Sequence, residues 1–296
     1  MTNDARDEPG RGYVYALICS LCSGAVPTLV KLLLNDNGPY AISGIGILLS
    51  GFLLLFYKPK VKPTRGSLPY LLFIAVVGAA VAPILWTVGL NQTTAVNAAL
   101  LANGEILFTT MVAFIAFGER LSRSQAARGI PIVAGIVIVS TNLDLAHVQF
   151  LQGLAGNLLI LASTVGWGLE NNFIVAATKR YSVPMLSKFR NLIGGGIVTA
   201  VVLLTGYPLR FSSNDLVVLA ALVLAFAGAT YFFVASLQRL GAIRMILTYS
   251  LSTVFGATFA FFVLSEQVTP IQLAGGALII GGVFLLRKSE KPAFVP

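Results

Sequence analysis

Charged side chains are scarce in this chain, and their scarcity excludes an ordinary soluble protein. Only 10% of the 296 residues are Asp, Glu, Lys or Arg, whereas a soluble domain has about 25%. Hydrophobic residues make up 56% of the chain, and the mean hydropathy is +0.86. This composition predicts an integral membrane protein.

The residue types that most often carry catalysis are also few. His147 is the only histidine, and Cys19 and Cys22 are the only cysteines. No Asp lies inside an apolar segment beyond its first residue, so neither a metalloprotease nor a two-Asp membrane protease is supported. The Cys-x-x-Cys pair lies in an apolar segment without further ligands, which favours packing over metal binding. Because the Gly-rich phosphate loop of an ATP-driven pump is also missing, we expect neither an enzyme nor a bound cofactor or metal.

Long apolar runs dominate what is present. Each of ten segments is about 18 to 25 residues long, enough for a helix to cross a hydrocarbon core of about 30 Å. The runs do not alternate in polarity, which favours helices over barrel strands. We therefore predict an all-α membrane protein with spans at residues 13–34, 39–57, 68–90, 95–117, 124–141, 153–178, 184–205, 215–238, 243–264 and 269–286.

The basic residues indicate the orientation of these spans. If the N-terminus is cytoplasmic, all but Lys31 and Arg210 of the 20 Lys and Arg residues lie on the cytoplasmic side, in loops and tails or toward the inner ends of the spans. This distribution satisfies the positive-inside rule and predicts that both termini are cytoplasmic, in a multi-pass protein of the cell inner membrane. The basic residues are spread over many loops, so we expect no nucleic-acid partner despite the net charge of +9.

One stretch of the sequence occurs twice. Residues 112–140 and 259–286 both contain an apolar run with aromatics, a lone Glu, a short polar bend and a Gly-rich apolar run. The two acidic residues, Glu119 and Glu266, lie 147 positions apart, about half the chain length. A repeat on this scale indicates two similar halves.

The helix count gives the repeat its orientation. Five spans per half is an odd number, so the second half must enter the membrane from the opposite side. We therefore predict two inverted five-helix repeats, at residues 1–145 and 146–296, that together form one transport domain. Inverted repeats are typical of alternating-access transporters, which hold their substrate near the midplane. A gene duplication without functional symmetry is the alternative.

These features together resemble a known family. Each half has a Glu bend followed by a Gly-rich final span, Trp167-Gly168 lies in the sixth span, and Arg190 follows a helix-starting proline. The chain is similar in this to the EamA-type ten-helix transporters of the drug/metabolite transporter superfamily. It departs from the family pattern at Ser23, where Trp is usual, and at Ile45, where Arg is usual. The resemblance implies secondary transport, commonly export, of metabolites such as amino acids. Within the family, the chain is similar to bacterial exporters of aromatic amino acids.

Only two acidic residues lie well inside the spans, Glu105 and Glu170. An ionisable residue in the membrane is costly and marks a functional site by default. Arg190 lies at a similar depth in the neighbouring span, so we expect a structural ion pair with Glu170, for which Lys188 could compete. Trp167 lies one turn before Glu170 and could share its face.

Glu105 has no Lys or Arg at its predicted depth. Its helical face consists of small residues, and the matching position in the second half is Ser252. Glu105 therefore either contacts substrate or protons or makes a neutral hydrogen bond between packed helices. The small residues on its face are Ala98, Ala102, Thr109 and Ala113.

We predict an exporter that works by alternating access, with its site between spans one, three, four, six, eight and nine. A passive channel, or a carrier of drugs or other metabolites such as nucleotide sugars, is the alternative. A small molecule and the lipid bilayer are the expected partners, and a monomer suffices. The predicted substrate-binding residues are Glu105, Asn103, Trp167, Glu170, Asn171, Tyr231, Tyr249, Ser252 and Trp86. Structural roles are predicted for Arg190, Glu119, Glu266, Pro27 and Pro83.

Overall fold

A computed structural model describes residues 9–34, 37–55, 63–117, 123–141, 149–206 and 211–287. Within these ranges the protein is all-α and contains no strand. The helices are α1 (Pro9–Leu34), α2 (Pro39–Phe52), α3 (Leu68–Val76), α4 (Ala82–Asn91), α5 (Ala95–Leu101), α6 (Gly104–Phe117), α7 (Arg123–Thr141), α8 (Gln149–Ala177), α9 (Val183–Leu204), α10 (Ser213–Tyr249), α11 (Leu251–Leu264) and α12 (Pro270–Arg287). Glu119 and His147 lie outside the described residues.

The ten predicted spans coincide with these helices. Within the described residues, six helical stretches are long and apolar enough to cross a membrane, and four further apolar helices are shorter. Large apolar side chains cover the outer surface, such as Leu204 and Phe262 with 87% and 76% of their area exposed. An apolar outer surface of this kind suits contact with lipid.

Three of the spans are not simple α-helices. A π-helical turn, Val77–Val81, joins α3 to α4 within the third span. The fourth span is divided at Ala102 and Asn103 between α5 and α6. In α10, Gly241 has a φ of 75°, and the kink at this residue separates the eighth span from the ninth. The ninth span is interrupted a second time, before α11. Glycine adopts this φ without steric cost.

The two halves show the same pattern of breaks. Helix α5 begins 147 positions before the helix restarts after Gly241 in α10. Helix α6 likewise begins 147 positions before α11. The packing of α7 on α12 follows the same rule. A Cβ atom on Gly135 would lie 2.7 Å from Ile279, and one on Gly282 would lie 2.6 Å from Ile132. Both pairs, Gly135 with Gly282 and Ile132 with Ile279, are 147 positions apart, as an inverted repeat requires.

Contacts between loops sort the span ends onto two sides. Tyr181 donates a hydrogen bond to Ser67 at 2.6 Å, which joins two loops that the span count places on one side. On the other side, the backbone N–H groups of Ala95 and Val96 donate to the carboxylate of Glu266 at 3.0 and 3.1 Å. Glu266 thus caps the N-terminus of α5, where its negative charge also suits the helix dipole.

Candidate functional site

A cavity lies between the helices near the middle of the molecule. It contains about 1050 Å³ of empty space, counting its open mouth, and apolar atoms make up most of its wall. Its lining comes from the six spans predicted to hold the site and also from α2 and α9. The lining residues with polar or aromatic side chains are Ser23, Trp86, Thr87, Glu105, Trp167, Glu170, Asn171, Arg190, Phe226, Thr230, Phe233, Tyr249 and Ser252.

The charged pair predicted from the sequence is present in this wall. Arg190 Nε donates to Glu170 Oε1 at 2.5 Å, and Arg190 Nη2 donates to Glu170 Oε2 at 3.0 Å. The carboxylate is almost fully buried, with 2% of its side chain exposed, whereas 14% of the arginine side chain is exposed. Two parallel hydrogen bonds of this kind are the strongest form of Arg–carboxylate pairing.

A backbone carbonyl in the third span holds the same arginine. Gly78 O accepts from Arg190 Nη2 at 2.7 Å and from Trp167 Nε1 at 3.1 Å. The carbonyl is available because the helix ladder shifts here: Ala82 N–H donates to Val77 O, in the π pattern. The next N–H that could reach Gly78 O would come from Pro83, which has none. Local sequence thus creates a free acceptor that the site then uses.

Gly78 also has to be a glycine. A Cβ atom there would overlap the carboxyl group of Glu170, which lies directly against the helix. The π turn, the ion pair and the indole of Trp167 therefore meet at Gly78. A signal for this arrangement in the sequence is the Gly-x-x-x-x-Pro spacing, Gly78 to Pro83, within an apolar span.

Glu105 forms a second polar centre in the cavity wall. Its side chain is buried, and Asn171 Nδ2 donates to its Oε1 at 2.5 Å. The same Asn171 amide lies 3.2 Å from Thr109 Oγ1. The break before α6 places Glu105 in the first turn of that helix, where the helix dipole favours a negative charge. Ala98 and Ala102 line the cavity beside it, as the small face predicted from the sequence requires.

Aromatic side chains supply much of the remaining wall. Trp86 and Trp167, the only tryptophans of the chain, both line the cavity. Phe233 and Tyr249 contact each other edge to face, with ring centroids 5.6 Å apart. Such rings bind apolar or aromatic groups well and leave orientation to the few polar groups.

Two predicted substrate-binding residues lie outside this lining. Asn103 instead donates to Leu100 O at 3.0 Å and to Thr253 Oγ1 at 2.5 Å, at the break between α5 and α6. Tyr231 packs edge to face on Phe232, with ring centroids 5.3 Å apart. Helical periodicity explains this, since α10 turns Phe226, Thr230 and Phe233 toward the cavity and hence Tyr231 away from it.

The other predicted substrate-binding residues all line the cavity: Glu105, Trp167, Glu170, Asn171, Tyr249, Ser252 and Trp86. The cavity is also lined by three residues for which structural roles were predicted, Arg190, Pro27 and Pro83. The sequence analysis did not single out Gly78, Phe226 or Thr230. Phe226, Thr230 and Phe233 lie along one helical face, and this spacing was a usable signal.

Comparison with known proteins places the chain in a family. The sequence profile of the EamA-like transporter family matches residues 10–141 and again residues 154–288, one match in each half. The chain belongs to the EamA-like transporter family. It is therefore a multi-pass membrane transporter built from two repeats, and the family resemblance noted in the sequence is confirmed.

Individual relatives span nearly the whole chain. A protein of Escherichia coli (strain K12) named as a probable amino-acid metabolite efflux pump is 26% identical over 286 residues, covering 92% of this chain and 93% of its own length. An uncharacterized transporter of Methanothermobacter thermautotrophicus is 24% identical over 293 residues, covering 93% of this chain and 85% of its own length. A crystal structure superposes with a TM-score of 0.65 at 16% identity, over 95% of this chain and 99% of that one, and it supports the fold.

Proposed function

We propose that this EamA-family transporter exports neutral amino acids, aromatic ones in particular, by alternating access. The observation that supports this most is the composition of the cavity wall: aromatic and apolar surface with two carboxyls and one arginine set into it. An amino acid with an apolar side chain presents the matching groups, one ammonium, one carboxylate and an apolar remainder. The printed name of the Escherichia coli relative, a probable amino-acid metabolite efflux pump, is consistent with this substrate class.

In this proposal the wall residues divide the work by chemistry. Glu105, held by Asn171 at 2.5 Å, accepts the ammonium group of the substrate. Trp86, Trp167 and Tyr249 flank the side chain, and Ser252 lies across the cavity in the second half of the chain. The protein acts as a monomer in the bacterial inner membrane. Both termini lie in the cytoplasm, as the positions of Lys and Arg predict.

Counterflow in liposomes tests the transport mode and the role of Glu105 together. The purified protein is reconstituted with unlabelled phenylalanine inside, and entry of labelled phenylalanine is followed. We expect saturable exchange with a transient overshoot, which a passive channel does not produce. Glu105→Gln should lower the exchange rate by about tenfold or more, because a charge-assisted hydrogen bond to the ammonium group is lost.

The control for this variant is Asp215→Asn. Asp215 is an acidic residue in the first turn of α10, far from the cavity lining, and its hydrogen bond with Ser212 caps that helix. Its exchange rate should equal that of the unmodified protein. Undiminished exchange in Glu105→Gln would rule out the role given to this carboxyl, and flux proportional to concentration without overshoot would favour a channel.

A further inference from the structure

The ion pair in the cavity wall is anchored unequally. Arg190 has five N–H donors, of which two are used by Glu170, one by Gly78 O at 2.7 Å and one by Asn191 Oδ1 at 3.0 Å. The arginine thus remains fixed by two neutral acceptors even without its carboxylate. In the part of the chain that the structure describes, the carboxyl oxygens of Glu170 accept hydrogen bonds from Arg190 alone.

This inequality makes the glutamate the exchangeable partner. A planar guanidinium binds any carboxylate through the same two parallel hydrogen bonds, whether that carboxylate belongs to a side chain or to a small molecule. The arginine is the more exposed member of the pair and reaches the cavity. A substrate carboxylate could therefore take the position of Glu170 without any movement of Arg190.

Charge balance decides which molecules can make this exchange. A carboxylate that displaces Glu170 leaves an unpaired negative charge within the membrane, which is strongly unfavourable. An ammonium group on the same molecule removes this difficulty by pairing with the released Glu170. An amine without a carboxylate can contact Glu105 but gains no hydrogen bonds from Arg190, and an acid without an amine leaves the displaced Glu170 unpaired. Only a zwitterion can bind Arg190 and the carboxyl groups at the same time.

We propose that Glu170 occupies the binding position of a substrate carboxylate on Arg190, and that the exchange selects zwitterionic α-amino acids over the corresponding amines and acids. This inference rests on the proposed amino-acid transport and deepens it. It assigns the carboxylate of the substrate to Arg190 and the ammonium group to Glu170 together with Glu105. It also gives the ion pair a role in specificity beyond joining α8 to α9.

Competition in the counterflow assay tests the selection. Labelled phenylalanine is the transported probe, and the competitors are unlabelled phenylalanine, phenethylamine without the carboxylate, and 3-phenylpropionate without the amine. For the unmodified protein, the amine and the acid should compete at least about tenfold more weakly than phenylalanine, because the amine lacks the two hydrogen bonds from Arg190 and the acid leaves Glu170 unpaired. Equal competition by the amine, with counterflow of phenylalanine intact, would overturn this inference and leave amino-acid transport standing.

Two variants carry the test to the pair itself. Glu170→Gln leaves Arg190 without a counter-charge, so binding of 3-phenylpropionate should improve about tenfold or more relative to phenylalanine. The double variant with Glu170→Gln and Arg190→Gln removes both charges of the pair together, so neither is left without its partner and the fold is easier to keep than in a single variant. It should bind phenylalanine and phenethylamine with similar affinity, because Glu105 remains for both ammonium groups, and quenching of the two cavity tryptophans can measure this without transport.

The control for these variants is Arg180→Lys. Arg180 is an exposed residue at the end of the same helical hairpin, so the variant should retain the selectivity of the unmodified protein. Persistent preference for phenylalanine over phenethylamine in the double variant would show that the pair is structural and overturn the inference. If the unmodified protein shows no saturable counterflow of any amino acid, the proposed function itself fails, and this inference with it.

Discussion

Gly78 shows how much one residue without a side chain can carry. Its carbonyl accepts two hydrogen bonds from the site, and its missing Cβ makes room for the carboxyl of Glu170. Neither property depends on hydropathy, so neither is visible from the apolar pattern of the span. Both follow once the π turn and Pro83 are known.

Gly78→Ala is therefore expected to be severe. The added methyl group must displace Glu170 and separate it from Arg190, leaving a buried charge without its partner, which typically costs about 3 to 5 kcal/mol. Thermal unfolding in detergent should occur at a clearly lower temperature, and phenylalanine counterflow should be lost. Unfolding followed by tryptophan emission reports on this region directly, since Trp167 donates to the same carbonyl.

The matched control is Gly281→Ala in α12. A Cβ atom on Gly281 meets no atom within 4 Å, so the same substitution adds no steric contact there. Alanine is also the better helix former by about 0.5 to 1 kcal/mol. Equal thermal stability of the two variants would contradict the close approach of Glu170 to the backbone at Gly78.

At the scale of residues, the sequence predicted one polar pair and missed another. Glu170 and Arg190 lie at similar depth in consecutive spans, so a hairpin brings them together. The contact of Glu105 with Asn171 joins α6 to α8, and its formation depends on the close approach that Gly168 allows: a Cβ there would lie 2.8 Å from Thr109 N. Depth and neighbour order alone do not determine which helix faces meet in that way.

At the scale of helices, the spans were predictable, whereas their breaks were not. The proline residues Pro27 and Pro131 lie inside the continuous helices α1 and α7. The fourth span instead breaks at Asn103, without any proline. The Asn103 side chain hydrogen-bonds Leu100 O and Thr253, and so competes with the helix ladder for backbone partners. The contact with Thr253 lies 150 residues away and cannot be inferred from the local sequence.

Pro83 is the proline whose missing N–H has a visible consequence. Pro83→Ala supplies an N–H group that can bond Gly78 O or restore the α ladder, in competition with Arg190 and Trp167. We expect unchanged or higher thermal stability but a phenylalanine exchange rate about fivefold lower, since one hydrogen bond contributes about 1 kcal/mol. In a Trp86→Phe background, the emission of Trp167 should shift as its indole N–H loses Gly78 O.

Pro131→Ala in α7 controls for the general effect of removing a helix proline. Pro131 lies away from the cavity lining, beside the contact of α7 with α12. Its exchange rate and the Trp167 emission should stay unchanged. A Pro83→Ala variant that behaves in the same way would show that the free carbonyl does not depend on the missing N–H.

At the scale of the whole molecule, a symmetric scaffold holds an asymmetric site. The breaks of the fourth and ninth spans and the α7–α12 contact repeat at a distance of 147 residues. The charges do not repeat. Glu105 corresponds to Ser252, and Arg190 corresponds to Ile45, 145 positions earlier, the same offset that relates Pro184 to Pro39. In the proposed alternating-access mechanism, symmetry would allow the scaffold to open to either side, and the single set of charges would give one binding site that both openings share.

The distribution of positive charges alone predicts on which side of the membrane each loop lies. The structure sorts span ends onto two sides, with Ser67 and Tyr181 together on one and Ala95 and Glu266 on the other. The positive-inside rule makes the first side cytoplasmic. Single cysteines test this after Cys19 and Cys22 have been replaced by alanine. Gly66→Cys marks the side of Ser67, and Asn214→Cys, exposed at the start of α10, marks the other.

A membrane-impermeant maleimide should label Asn214→Cys in intact bacterial spheroplasts and Gly66→Cys only after the membrane has been opened. Both positions are exposed, and a Cβ on Gly66 meets no atom within 4 Å, so neither substitution should disturb the fold. The pattern is expected because the loop containing Gly66 holds Lys58, Lys60, Lys62 and Arg65, and the translocation of so many positive charges is disfavoured. Labelling of Gly66→Cys in intact spheroplasts, with Asn214→Cys protected, would invert the topology and turn the proposed exporter cavity to face the opposite side.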